Sequence, residues 1–206
     1  SGKALHVPFR SDIYAAVSDY WQCFALDFQH CRLSESTDWG VYFAGGQSPG
    51  LWRMQYCTIA NNAGGGVYDT TGQFVFTDNL IVGNGTFGAN GGMLIDASVE
   101  GVSFNSLIER NEFDTNFNYH LWMMRVRNAR NIGNRYLSQT YDSNTGGTLT
   151  SGSAFMRPAT HVKLGDGATD EVWGSLFEGN YHRSVTGAGP TTAAVSAYIM
   201  TPSSTE

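Results

Sequence analysis

Lysine is almost missing from this chain: Lys3 and Lys163 are the only two in 206 residues, and 12 basic side chains face 18 acidic ones for a formal charge of −6. A surface so short of cations cannot displace phosphate counterions, which excludes a nucleic-acid face. The same shortage excludes a polybasic patch for a membrane surface. No apolar run approaches the ~18 residues of a membrane-spanning helix, and the first residues lack the charged-then-apolar layout of a signal peptide. Cysteine is scarce too: Cys23, Cys31 and Cys57 form no CxxC pair, so neither a zinc site nor a disulfide framework is expected, and they read as reduced thiols. His30, His161 and His182 have no HxH or HExxH spacing and read as packing or surface residues. Gly64-Gly65-Gly66 is followed by no Lys-Ser/Thr and is not a phosphate loop. Asn84-Gly85-Thr86 matches a glycosylation sequon that a turn explains equally well. No motif asks for a metal or a cofactor.

Charge is low as well, at 15 % of residues, whereas 41 % are hydrophobic, 13 % aromatic and 25 are glycine. That balance supports a core and suits an all-β chain of short strands. A six-residue phrase recurs: Cys31 to Ser36, Cys57 to Asn62, Asn79 to Asn84, Ser106 to Asn111 and Ser175 to Asn180. Each runs small or polar residue, spacer, aliphatic or aromatic residue, two spacers, then Asn or Ser. The first four copies start 26, 22 and 27 residues apart, a spacing of repeat architectures. Two further anchors keep step with it. One is Gly40-Val41-Tyr42, Gly66-Val67-Tyr68, Gly92-Met93-Leu94 and His120-Leu121-Trp122; the other is Leu26 with Phe28, Trp52 with Met54, and Phe74 with Phe76.

Three short alternating strands per repeat predict a right-handed, single-stranded parallel β-helix, each strand pairing with its equivalent one coil on. Leu33, Ile59, Ile81, Ile108 and Phe177 are expected to form one interior stack, and Asn62, Asn84, Asn111 and Asn180 one Asn ladder. Residues 1–23 are expected to cap the coils, with 11–21 either a short helix or an irregular coil. The coils are placed at 24–183, with an irregular loop insertion near 138–160. A final strand at 194–200 is expected within a C-terminal tail, 184–206.

These stacked anchors with an Asn-bearing turn resemble the pectate-lyase-like β-helix, and most of all the shafts of bacteriophage tailspikes, over roughly residues 24 to 183. The resemblance implies a protein of the virion tail, extracellular and homotrimeric. It implies binding of a bacterial capsular or O-antigen polysaccharide and its depolymerisation, as a glycoside hydrolase or a polysaccharide lyase. A non-catalytic glycan-binding or structural shaft, and a monomeric bacterial lyase or epimerase, stay open beside it.

Chemistry on such a scaffold belongs to outward positions. Tyr42, Tyr68 and Trp122, with Leu94 between them, are expected to form an outward aromatic stripe able to stack on sugar rings or to line a subunit interface. Glu109, Glu112 and Asp114, with Glu178 equivalent to Glu109, are the candidate acid/base carboxylates, or else solvated turn residues. His120, Arg125, Arg127 and Arg130 are the third candidate cluster, for orienting an acidic sugar, Arg125 and Arg127 sharing one strand face at i and i+2. Salt bridging to neighbouring acidic turns is the other use for them. The register over 119–127 stays open, because Leu121 inward and Trp122 with Met124 inward exclude each other.

Overall fold

The computed structural model describes residues 2, 5–7, 26–43, 52–70, 73–86, 89–96, 103–142, 154–157, 160–165, 172, 174–185 and 196–200. The expected helix or irregular coil over 11–21 and residues 143–153 of the expected insertion lie outside them. Among the described residues every regular element is a strand. The chain visits three sheets in turn and then returns to the first, so neighbours within a sheet come from successive circuits.

Sheet one holds Leu26–Gln29, Trp52–Gln55, Phe74–Thr77, Leu107–Glu109, Arg130–Ile132 and Leu176–Glu178, all in parallel register. Sheet two holds Arg32–Ser34, Thr58–Ala60, Leu80–Val82, Glu112–Asp114, Arg135–Asp142 and Tyr181–Val185, again parallel. Ala154–Arg157 folds back antiparallel on the end of Arg135–Asp142, so ordered strand extends into the segment read as an irregular insertion. Sheet three holds Leu5–Val7, Trp39–Phe43, Gly65–Asp69, Met93–Asp96, Tyr119–Met124, Thr160–Leu164 and Ser196–Met200. A two-stranded sheet, Ser103–Phe104 with Val126–Arg127, is added late in the chain.

One apolar cluster joins the inward side chains of all three sheets. On sheet three Val41, Val67, Met93, Leu121 and Val162 pair in sequence, each fully buried, as the glycine-led anchors predict. On sheet one Leu26 and Phe28 pair with Trp52 and Met54, and these with Phe74 and Phe76. The expected mixed stack is corrected. Leu33, Ile59 and Ile81 continue into Phe113 and Tyr136 on sheet two, whereas Ile108 follows Phe76 on sheet one and leads through Asn131 to Phe177.

The Asn ladder divides in the same way. At the corner between sheets one and two, the Cys57 N–H donates to Asn79 Oδ1, Asn79 to Asn111, Asn111 to Asn134 and Asn134 to Asn180. At the corner between sheets two and three, Ser36 donates to Asn62, Asn62 to Asn84 and Asn84 to Asn116. Each buried amide therefore satisfies a backbone group that a sharp bend would orphan.

Both corners share one construction, a residue at positive φ followed by the ladder residue. The first corner uses His30, Tyr56, Asp78, Arg110, Gly133 and Gly179; the second uses Glu35, Asn61, Gly83 and Thr115. The left-handed residue turns the chain between faces within one step, and most side chains pay a steric cost for it. Gly40, Gly66 and Gly92 flank the second ladder closely: a Cβ on Gly40 would lie 2.5 Å from Asn62 Nδ2, and one on Gly92 3.0 Å from Asn116 Nδ2. The ladder thus explains the glycine that precedes the inward residues Val41, Val67 and Met93 of sheet three.

Candidate functional site

The first corner raises its left-handed residues as a column of side chains along the outside of the molecule. His30 and Tyr56 stack with ring centroids 5.3 Å apart at 11°, and Tyr56 is 55 % exposed. Next, Arg110 grips Asp78 through Nε and Nη2, both at 2.8 Å, and its Nη1 reaches Glu109 Oε2 at 2.8 Å. This guanidinium holds the Asp78 carboxyl below its ordinary range, because a charged hydrogen-bond donor favours the ionised form. Gly133 and Gly179 then leave the column bare. A Cβ on Gly133 would meet nothing nearer than Arg110 Cγ at 3.9 Å.

Beside this column stand the outward residues that open the sheet-two strands, Thr58, Leu80, Glu112 and Arg135, paired in that order. Arg135 Nη1 donates to Glu112 Oε2 at 2.6 Å. Column and strand starts together line an open groove of about 660 Å³ that includes Tyr56, Asp78, Arg110, Glu112, Gly133 and Arg135. It offers one exposed aromatic face and two arginine–carboxylate pairs on successive circuits. Those are the elements that hold a polyhydroxylated ligand: a ring for C–H stacking, and charged donors and acceptors for hydroxyls.

Of the three predicted carboxylates, Glu112 lines this groove. Glu109 closes the last strand position of sheet one and is held by Arg110, while Asp114 lies two residues beyond Glu112 on the same face of sheet two. Tyr56, Asp78, Arg110 and Arg135 were not singled out by the sequence reading. For Tyr56, Asp78 and Arg110 the signal is the residue just before each ladder position, and for Arg135 the residue just after it; both become readable only once Asn79 is aligned with Asn111.

Tyr42, Tyr68, Leu94 and Trp122 do form one outward column on sheet three, ending at Lys163. The rings lean on one another: Tyr42–Tyr68 centroids are 5.0 Å apart, Trp39–Tyr68 5.3 Å and Tyr119–Trp122 5.3 Å. The Lys163 ammonium sits 3.6 Å over the Trp122 ring, and the Tyr68 hydroxyl donates to Asp96 at 3.3 Å. Burial, followed by the Asp96 charge, pushes the Tyr68 phenol up. The stripe is thus a second, half-buried apolar cluster whose ring faces are largely taken up from within.

Two expectations for the third candidate are corrected. Leu121 and Met123 point inward, which leaves Trp122 and Met124 half-buried outside. Arg125 then takes φ 54° and breaks the strand, so the alternation restarts with Val126 buried. Arg125 and Arg127 therefore share no continuous strand face. His120 is interior and fully buried: Asn116 Nδ2 donates to Nδ1 at 3.0 Å, and Nε2–H donates to the Leu137 carbonyl at 2.9 Å. It ends the second Asn ladder, supplying the acceptor that the next Asn would have given, and burial drives its pKa well down.

His161 and His182, two of the histidines read as solitary, are neighbours of each other and of His120. His161 lies 5.3 Å from His120 and 5.2 Å from His182, and Tyr136 stacks on His182 at 5.0 Å. His161 Nδ1 faces His182 Nδ1 at 3.0 Å, and its Nε2 meets the Ser138 hydroxyl. Burial, with the His182 charge second, pulls His161 down to about 4. Among the described residues no three His, Cys, Asp or Glu side chains converge as a metal site.

Compared with protein-family models, with curated proteins and with solved structures, the chain matches none of them.

Proposed function

We propose that the three sheets close into a right-handed parallel β-helix of the tailspike kind, and that the groove at its first corner binds and cleaves a bacterial capsular or O-antigen polysaccharide. Right-handedness is the hand that parallel crossovers take almost without exception. The observation that carries the functional reading is the groove itself: an exposed Tyr56 in line with the Asp78–Arg110 and Glu112–Arg135 pairs along an open channel of about 660 Å³. A channel along stacked circuits suits a polymer better than a compact metabolite, because it is open along its length. Asp78 and Glu112 bring two carboxylates into it, the minimum set for glycoside hydrolysis. Asp78, kept ionised by Arg110, fits the base or nucleophile. The same reading carries a homotrimer on a virion tail.

Incubation with a panel of capsular and O-antigen polysaccharides tests this directly, with product size and the ultraviolet absorbance of unsaturated uronates read together. Shortened polymer without new absorbance is the expected result. Shortening with new absorbance moves the chemistry to β-elimination. Retention of intact polymer leaves an adhesin, and a panel neither bound nor shortened contradicts the reading.

A further inference from the structure

The charges of the groove restrict which glycan it accepts. We infer that it takes a neutral, hydroxyl-rich saccharide and turns away uronate- or sialate-bearing ones, a claim that rests on the polysaccharide reading of this groove. Acidic sugars are gathered by guanidinium groups with donors to spare, in bidentate geometry. Here the bidentate edge of Arg110 is taken up, and Arg135 is already paired with a carboxylate. Arg110 spends Nε and Nη2 on the two oxygens of Asp78 and Nη1 on Glu109. Arg135 is held by Glu112 at 2.6 Å. Three carboxylates thus stand against two guanidinium groups, and an incoming carboxylate meets an excess of its own charge. The whole chain, at −6, adds to the repulsion.

A neutral pyranose has the opposite experience. Its hydroxyls both donate and accept, so adjacent hydroxyls can bridge a carboxylate oxygen and a guanidinium N–H of one pair without separating them. Its C–H face needs an apolar plate, which Tyr56 provides on a ring already braced by His30 at 11°. From Tyr56 through Asp78 to Arg110 is two circuits, roughly 10 Å at ~4.8 Å per parallel strand. That is room for a disaccharide with one ring on Tyr56 and the next on the charged pairs. The Arg125–Arg127 clamp for an acidic sugar lapses for an independent reason, since the two arginines share no strand face.

The test is affinity electrophoresis of the intact chain through gels holding neutral O-antigen polysaccharides, acidic capsular polysaccharides, and the same acidic polymers after chemical reduction of their carboxyl groups. Neutral and carboxyl-reduced polymers should retard the protein at least about tenfold more strongly than their acidic parents, or about 1.4 kcal/mol. Tyr56→Ala, a change at an exposed position, should abolish the retardation while circular dichroism stays unchanged. Glu112→Gln, which releases Arg135, should raise retention by the acidic polymers. Stronger retention by acidic parents than by their reduced forms overturns the inference and leaves the polysaccharide reading standing. Retention by no polymer of either kind overturns both.

Discussion

Asn84 shows what one residue contributes here. Its Oδ1 accepts from the backbone N–H and the Nδ2 of Asn62, and its own Nδ2 donates to Asn116 and to the Ile59 carbonyl. Asn62 Nδ2 keeps a second acceptor in the Leu33 carbonyl, but the Asn62 N–H loses the acceptor that Asn84 supplies, and the Ile59 carbonyl, which lies within the strand ladder, loses a side-chain donor. Orphaning a buried group costs about 1–3 kcal/mol, so Asn84→Ala should lower unfolding free energy by about 2 kcal/mol in urea titration. A loss below about 1 kcal/mol would show that water replaces the amide and that the ladder is not structural. Asn61, next to Asn62 in sequence and exposed, should tolerate Gly with little change, which separates the ladder from the corner's backbone conformation.

The element that the chain repeats is the corner, and its economy is what misled the sequence reading. A three-residue strand between two corners spells ladder residue, spacer, inward residue, spacer, left-handed residue, ladder residue. Asn79 to Asn84 spells it on sheet two, and Ser106 to Asn111 spells it on sheet one. Side-chain pattern cannot distinguish the two faces, so the fourth copy was aligned one face early. The true partner of Asn79 is Asn111, 32 residues on. On sheet three the glycine-led anchor has no double elsewhere in the circuit, so Val41, Val67 and Met93 read in register, whereas at Leu121 the glycine is replaced and the register stays open. The groove was missed for the same reason, since Asp78 meets Arg110 only in the corrected alignment. Two glycines test the distinction between crowding and backbone conformation. A Cβ on Gly66 would fall 2.3 Å from the Gly92 carbonyl oxygen, a backbone atom of the next circuit, so Gly66→Ala should cost at least about 3 kcal/mol. Gly133 has φ 62° and open space around it, so Gly133→Ala should cost about 1 kcal/mol. Equal melting temperatures for the two variants would contradict this packing.

At the scale of the whole molecule, the late circuits differ from the early ones. Glycine precedes the inward residue in three circuits of sheet three, and His120 and His161 take that position in the next two. The interior there holds three histidines whose neutral forms burial favours, with His161 near 4 and His120 and His182 also lowered. Unfolded histidine titrates near ~6.5. Stability from the lowered groups is fully present above that pH and is lost as pH falls from about 6.5 through 4, because the unfolded chain takes up protons that the folded chain refuses. His161 alone accounts for about 3 kcal/mol over that window. Denaturant midpoints should therefore fall steeply between pH 6.5 and 4, and less so in His161→Gln; a flat profile would place these rings in contact with solvent.

Among the described residues, the sheet-three stripe packs its rings on one another, whereas Tyr56 in the corner groove is open. Placing polysaccharide in the groove is the central claim, and amide hydrogen exchange with and without bound polymer tests it most directly. Added protection is expected at residues 56–58, 78–80 and 110–112. Protection confined to Trp39–Phe43, Gly65–Asp69, Met93–Asp96 and Tyr119–Met124 would contradict it and return recognition to the stripe.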